Sequence, residues 1–229
     1  MVRRRILVIA PHADDETLGM GATIAKKMHA AEAVTVAIMT GHGAGVHPLG
    51  SKAIWDTVRA EAKNAVVHLG SPSLQFFELP AVTLSEYPVH KINQVVADVI
   101  KSIDPHELYL PFYHDLHLDH RLLSNAGLVA ARAYLPTSSN IDLVAMYEVP
   151  TETHLMPPAI NTPFTPNHYQ NVSGFVAQKL AAWDSYKSQQ QSGFTPRSPV
   201  ALEALAILRG SEIGVEAAEG FVIIRSVTS

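Results

Sequence analysis

The chain has 229 residues, with 17 Lys and Arg against 21 Asp and Glu, a net charge of −4. That length fits one domain, and the mild acidity speaks against a nucleic-acid binder, whose footprint is basic. At 47% apolar and 17% charged residues the chain is not disordered, and the lack of cysteine removes disulfides, thiolate nucleophiles and cysteine-ligated metal centres.

The basic start Met1-Val2-Arg3-Arg4-Arg5 leads into an apolar run, residues 6–10, that is too short for a signal-peptide core and stops at Pro11. The run reads as a buried strand. Residues 17–30 follow with helical spacing, 34–39 as a second strand and 40–51 as a glycine-rich loop. A helix over 54–69, closed by Gly70 and Pro72, precedes a strand at 74–79. A helix over 89–103, a strand at 107–110 and a helix over 118–135 complete four strand–helix units. Such alternation predicts an α/β fold, a Rossmann-like doubly wound, mostly parallel sheet with helices on both faces. Beyond Pro136 the pattern changes to a strand at 141–149, an irregular proline-rich stretch at 150–166, helices at 172–191 and 200–213, and a last strand at 220–225. We read residues 1–229 as one domain, with 1–135 as the core and 136–229 as a C-terminal extension that roofs the site. No segment predicts a membrane span, so a cytoplasmic protein is expected.

The densest chemistry is Pro11-His12-Ala13-Asp14-Asp15-Glu16, directly after the first strand. In open α/β sheets the ligand crevice lies at the carboxyl ends of strands. Three carboxylates and an imidazole in five residues repel one another unless a cation compensates. A divalent metal supplies one, with His12 and Asp15 as candidate ligands and Asp14 free as a base. The competing reading is an acidic helix N-terminus that suits the helix dipole. A second cluster, His114-Asp115-Leu116-His117-Leu118-Asp119-His120, follows the fourth strand. His117 and His120 share one side of a first helical turn. A catalytic zinc site keeps three protein ligands and one open position for water, so His12, Asp15 and His120 form a candidate His₂Asp set. Asp14 would take the proton of the attacking water. A protonated His117 would stabilise an oxyanion, and Asp119 would hold the tautomer of His117. The same donors also suit iron, cobalt or manganese. Hydrolysis of an amide or an ester fits.

Both motifs together resemble the PIG-L/LmbE-like family of zinc-dependent N-deacetylases, whose signatures are a PHxDDE-type segment after the first strand and a later HxDH segment. The resemblance implies one Zn²⁺ per chain on His12, Asp15 and His120, with Asp14 as general base and His117 stabilising the tetrahedral species. It implies a small-molecule N-acetylated amino-sugar conjugate as substrate, with acetate and a free amino sugar as products. Arg59-Ala60-Glu61 resembles an Arg-x-Glu helix of the family whose arginine contacts substrate. Lys179 and Tyr186-Lys187-Ser188-Gln189 resemble a C-terminal segment with a structural or roofing role. A larger acyl group, or a non-catalytic metal-binding module, are the alternatives. A homo-oligomer is compatible with everything above.

Other features carry ordinary readings. Gly19 and Gly21 do not extend to a dinucleotide fingerprint, because Ile24 stands where the third glycine belongs; they predict close helix–sheet packing. His42 and His47 could line the pocket, but their glycine-rich setting reads first as a flexible surface loop. Trp55 and Trp183 could stack on a sugar ring, but aromatics on helices are usually core.

Overall fold

The computed structural model describes residues 3–228; Met1 and Val2 of the basic start, and Ser229, lie outside the described residues. Strand β1 (Arg5–Ala10) alternates its side chains between two cores. Ile6, Val8 and Ala10 join one apolar cluster and Leu7 and Ile9 the other. This is the period-2 geometry of a strand covered on both faces, and it explains the unbroken apolar run. Strands β2 (Ala33–Gly41), β3 (Ser73–Pro80), β4 (Glu107–Pro111) and β5 (Leu143–Tyr147) lie parallel to it. With β6 (His168–Asn171) and β7 (Ala218–Ser226) they form one seven-stranded sheet, in the order β3-β2-β1-β4-β5-β7-β6. Strand β7 runs antiparallel to both β5 and β6. The expected mostly parallel α/β architecture is present.

Helices α1 (Asp15–His29), α2 (Lys52–His68) and α6 (Val176–Asp184) cover one face, and α3 (Val89–Ile103) and α4 (Leu118–Ala130) the other. The remaining helices are the single turn α5 (Pro150–Thr153) and α7 (Pro199–Ser211). Strand β1 pairs with β2 on one side and β4 on the other, so the chain's direction of winding reverses between β1 and β4. The crevice that such a reversal opens lies at the carboxyl ends of these two strands. The two motifs follow those strands, which is why segments a hundred residues apart meet.

Three expectations need correction, and one strand was missed. The helix expected over 118–135 stops at Ala130, where the Arg225 guanidinium takes the Ala131 carbonyl at 2.7 Å. The helix expected over 172–191 is only α6 plus a 3₁₀ turn at Lys187–Gln189, because Gly174 sits at φ +84° and interrupts any helical path ahead of α6. Strand β6 was not legible: its four residues are polar and lie on the sheet edge. Finally, His47 is buried rather than mobile, and its ring bonds the Ala81 carbonyl at 2.8 Å. No helix among the described residues is long and apolar enough to cross a membrane.

Gly19 does what close packing requires. A Cβ there would lie 2.3 Å from Cδ2 of Tyr147, a buried ring whose hydroxyl donates to the Ile9 carbonyl at 2.8 Å. The tether leaves the ring little room to yield. Gly19→Ala is therefore expected to destabilise the protein by about 1–3 kcal/mol, overpacking outweighing the gain in helix propensity. Urea unfolding of the two proteins measures it.

Candidate active site

Asp14 stands at the N-terminus of α1 with φ 130°, a conformation that L side chains rarely adopt. Strain of this kind persists where the surroundings over-determine it. Its carboxylate caps no helix N–H. Instead Glu16 turns back, accepting the Asp14 N–H at 3.2 Å, the Thr17 hydroxyl at 2.7 Å and the Tyr186 hydroxyl at 2.6 Å. The ordinary structural reading of the acidic cluster thus holds for Glu16 and leaves Asp14 facing the cleft.

Two imidazoles converge on one oxygen. His12 Nδ1 lies 3.3 Å and His120 Nε2 3.2 Å from Oδ2 of Asp15. The other nitrogen of each ring is held by a carboxylate. His12 Nε2 meets Asp119 at 3.0 Å, and His120 Nδ1 meets Asp115 at 2.8 Å. Asp115 is steadied by the Thr153 hydroxyl at 2.6 Å, and Asp119 by the Val82 N–H at 2.6 Å. Rings oriented in this way by carboxylates behind them are what metal-ligating histidines show. His12, Asp15 and His120 bring their donor atoms within 4.8 Å of one another. His12, His117 and Asp119 also do so, but there His12 Nε2 and Asp119 are already each other's partners. The buried His120 Nε2 makes no hydrogen bond, so the first set has a nitrogen awaiting a cation. The donors fit a zinc-like ion.

The electrostatics agree. Burial would lower His12, yet its bonds to Asp119 and Asp15 raise it to about 9. Burial would likewise lower His120, but the charge of Asp15 and the bond to Asp115 raise it to about 10. Burial would raise Asp15, and the two imidazoles instead hold it well below the usual range. Asp14 moves the other way, pushed well up by burial and by Asp15, against Arg197. The pocket therefore attracts positive charge, as two protons or as one metal ion. Ligation needs neutral imidazoles, so a metal must displace those protons. Below about pH 9 metal binding is expected to release up to two protons, its apparent Kd falling by up to about 100-fold per pH unit as pH rises. Calorimetry in buffers of different ionisation enthalpy counts them; release of none would contradict the set.

His117 departs from expectation in two respects. Its Nδ1 accepts the Asp119 backbone N–H at 3.1 Å, while the Asp119 carboxylate goes to His12. Burial, then the charge on His12, push His117 down to about 4. It is neutral at pH 7, and with Nδ1 occupied as an acceptor its proton sits on Nε2. His114 does not join the site; its ring packs against Phe112 and Tyr113.

Arg59 lines the same cleft but is already engaged by the Glu78 carboxylate and by the Phe77 carbonyl at 2.6 Å. Glu61 takes the backbone N–H and hydroxyl of Ser188 at 2.8 and 2.6 Å. Lys179 pairs with buried Glu219 at 2.7 Å. Trp183 is core, whereas Trp55 lines the cleft. One residue escaped sequence reasoning altogether. Arg197 reaches in from the 190–198 segment, placing Nη1 3.3 Å from Asp14 Oδ2 and Nη2 2.9 Å from the Thr151 hydroxyl. Nothing in its neighbourhood along the chain signals this. The cleft holds about 340 Å³ and is also lined by Glu152 and Gln189.

A family model described as PIG-L, GlcNAc-PI de-N-acetylase, matches residues 7–131, more than half of the chain. The chain belongs to the PIG-L family. Solved structures share its fold over nearly its whole length. The conserved protein TT1542 from Thermus thermophilus is 25% identical with a TM-score of 0.78, over 99% of this chain and 97% of that one. The N,N'-diacetylchitobiose deacetylase from Pyrococcus horikoshii is 20% identical with a TM-score of 0.76, over 98% and 85%. The 4-carboxy-2-hydroxymuconate hydratase GalB from Pseudomonas putida KT2440 is 19% identical with a TM-score of 0.74, over 99% and 98%. The last two likenesses speak for the fold and not for a reaction.

Proposed function

We propose that this PIG-L family member is a metal-dependent N-deacetylase, releasing acetate and a free amino sugar from an N-acetylglucosamine-type substrate. The observation that carries the reading is the Asp14 carboxylate, directed into the cleft beside the His12, Asp15 and His120 set but outside it. His12, Asp15 and His120 would hold one zinc ion per chain, which supplies Lewis acidity to the acyl oxygen and to the attacking water. Asp14 takes that water's proton as its oxygen attacks the acetyl carbonyl. Arg197 favours the ionised form of Asp14, opposing the burial and the Asp15 charge that together push its carboxyl up. His117 donates its Nε2–H to the developing oxyanion as a neutral imidazole, a role that needs position rather than charge. Asp14 then returns its proton to the leaving amine. Asp119 and Asp115 orient the ligand rings. We read residues 1–229 as one domain in which the 136–229 part closes the cleft with Gln189 and Arg197. A cytoplasmic enzyme, as expected above, goes with this reading.

The test is metal analysis of the purified protein, followed by acetate release from a panel of N-acetylglucosamine conjugates. One equivalent of metal and stoichiometric acetate support the proposal. Release of a larger acid but no acetate makes it an amidase of another acyl group. A metal-loaded protein that releases no acid overturns the hydrolase reading.

A further inference from the structure

Helix α2 buries no side chain before Ala62. Its first two turns nevertheless carry Ile54, Trp55 and Val58, and all three line the cleft that contains His12, Asp15 and His120. Leu49 joins them from the preceding loop. Ile54 and Leu49 are 51% and 57% exposed. An amphipathic helix ordinarily turns such a stripe to the core; here Ile54 and Trp55 face the candidate site, and Val58 both lines it and packs against the core. The wall is also braced. Trp55 is packed by the rings of His47 and His42, with centroids 4.3 and 5.2 Å away. His47 in turn is buried and tied to the Ala81 carbonyl. The two guanidiniums lining the cleft are already engaged, Arg59 by Glu78 and Arg197 by Asp14. The wall thus offers apolar area and no cation without a carboxylate beside it, although the Nε of Arg59 and of Arg197 is buried with no partner.

We propose that this wall is a subsite for an apolar aryl or alkyl group carried by the acetylated amino sugar, and that it disfavours an anionic one. The inference rests on the deacetylase reading and names the substrate class of that site. Desolvated apolar contact with a held tryptophan is the attraction, and an anionic group would lose its hydration beside guanidiniums whose charge Glu78 and Asp14 already balance.

The experiment compares methyl, phenyl and carboxyethyl β-glycosides of N-acetylglucosamine. In the native protein kcat/KM should be about tenfold or more higher for phenyl than for methyl, and lowest for carboxyethyl. Trp55→Ala, and separately the double variant Leu49→Ser with Ile54→Ser, should each cut the phenyl-to-methyl ratio by about tenfold. The double variant changes only half-exposed side chains, so it guards against a folding defect at Trp55. A ratio near one in the native protein, or a ratio that neither variant alters, overturns the subsite. Binding is read independently of turnover by calorimetry and tryptophan fluorescence in the Asp14→Ala variant. Trp183 is buried, so quenching by the phenyl glycoside reports Trp55. If no glycoside releases acetate while phenyl still binds tenfold more tightly than methyl, the deacetylase reading fails and the subsite stands. Equal binding of the two sinks the subsite whatever the turnover.

Discussion

Asp14→Ala is expected to abolish turnover while leaving the metal content at that of the native protein. A positioned general base contributes up to about 10⁴-fold, and in the proposed reaction the same carboxylate also delivers the proton to the leaving amine. The carboxylate sits beside the candidate ligand set without belonging to it. Alanine keeps a Cβ, so the backbone at φ 130° bears the same strain as before. The sign of the stability change follows from burial. An acid whose pKa lies above its ordinary value in the fold weakens the native state at neutral pH. Its removal should leave the melting temperature unchanged or higher. Active-site groups that stability alone would not keep are a familiar cost of function. Acetate release, metal analysis and a thermal melt on one preparation check all three parts. Loss of the metal would show that Asp14 is a ligand.

His120→Ala should lose the metal, to about a tenth of an equivalent or less per chain, and turnover with it. His120 has no exposed surface, and its Nε2 is the donor left without a hydrogen bond. The substitution also takes from buried Asp115 its imidazole partner, leaving the Thr153 hydroxyl. A buried carboxylate stripped in this way costs about 1–3 kcal/mol. A drop in stability alone therefore says little. His117→Ala supplies the contrast, since it should keep the metal and lose rate. Full metal in His120→Ala would remove it from the ligand set.

Much of this site lies open to a reader of the chain because its donors come in two short runs. Each run follows a strand, and β1 and β4 are neighbours. What could not be read was the pairing within the runs. Asp119 stands two residues from His117, and proximity along the chain suggested that partnership. The α4 N-terminus instead gives His117 the Asp119 backbone N–H and sends the carboxylate 107 residues away to His12. The lowered pKa of His117 was not legible for the same reason, since burial and a neighbouring imidazole cause it.

Composition, apolar periodicity and the two histidine–aspartate runs suffice for the fold class, the location of the crevice and the kind of atom gathered there. These are properties of near neighbours, and near neighbours are adjacent in the chain. Packing settled the remainder: which nitrogen of each ring is free, the arrival of Arg197 at Asp14 across 183 residues, and the turn of α2's apolar stripe toward the cleft. Such contacts arise only when distant elements are pressed together, and no local pattern carries that information.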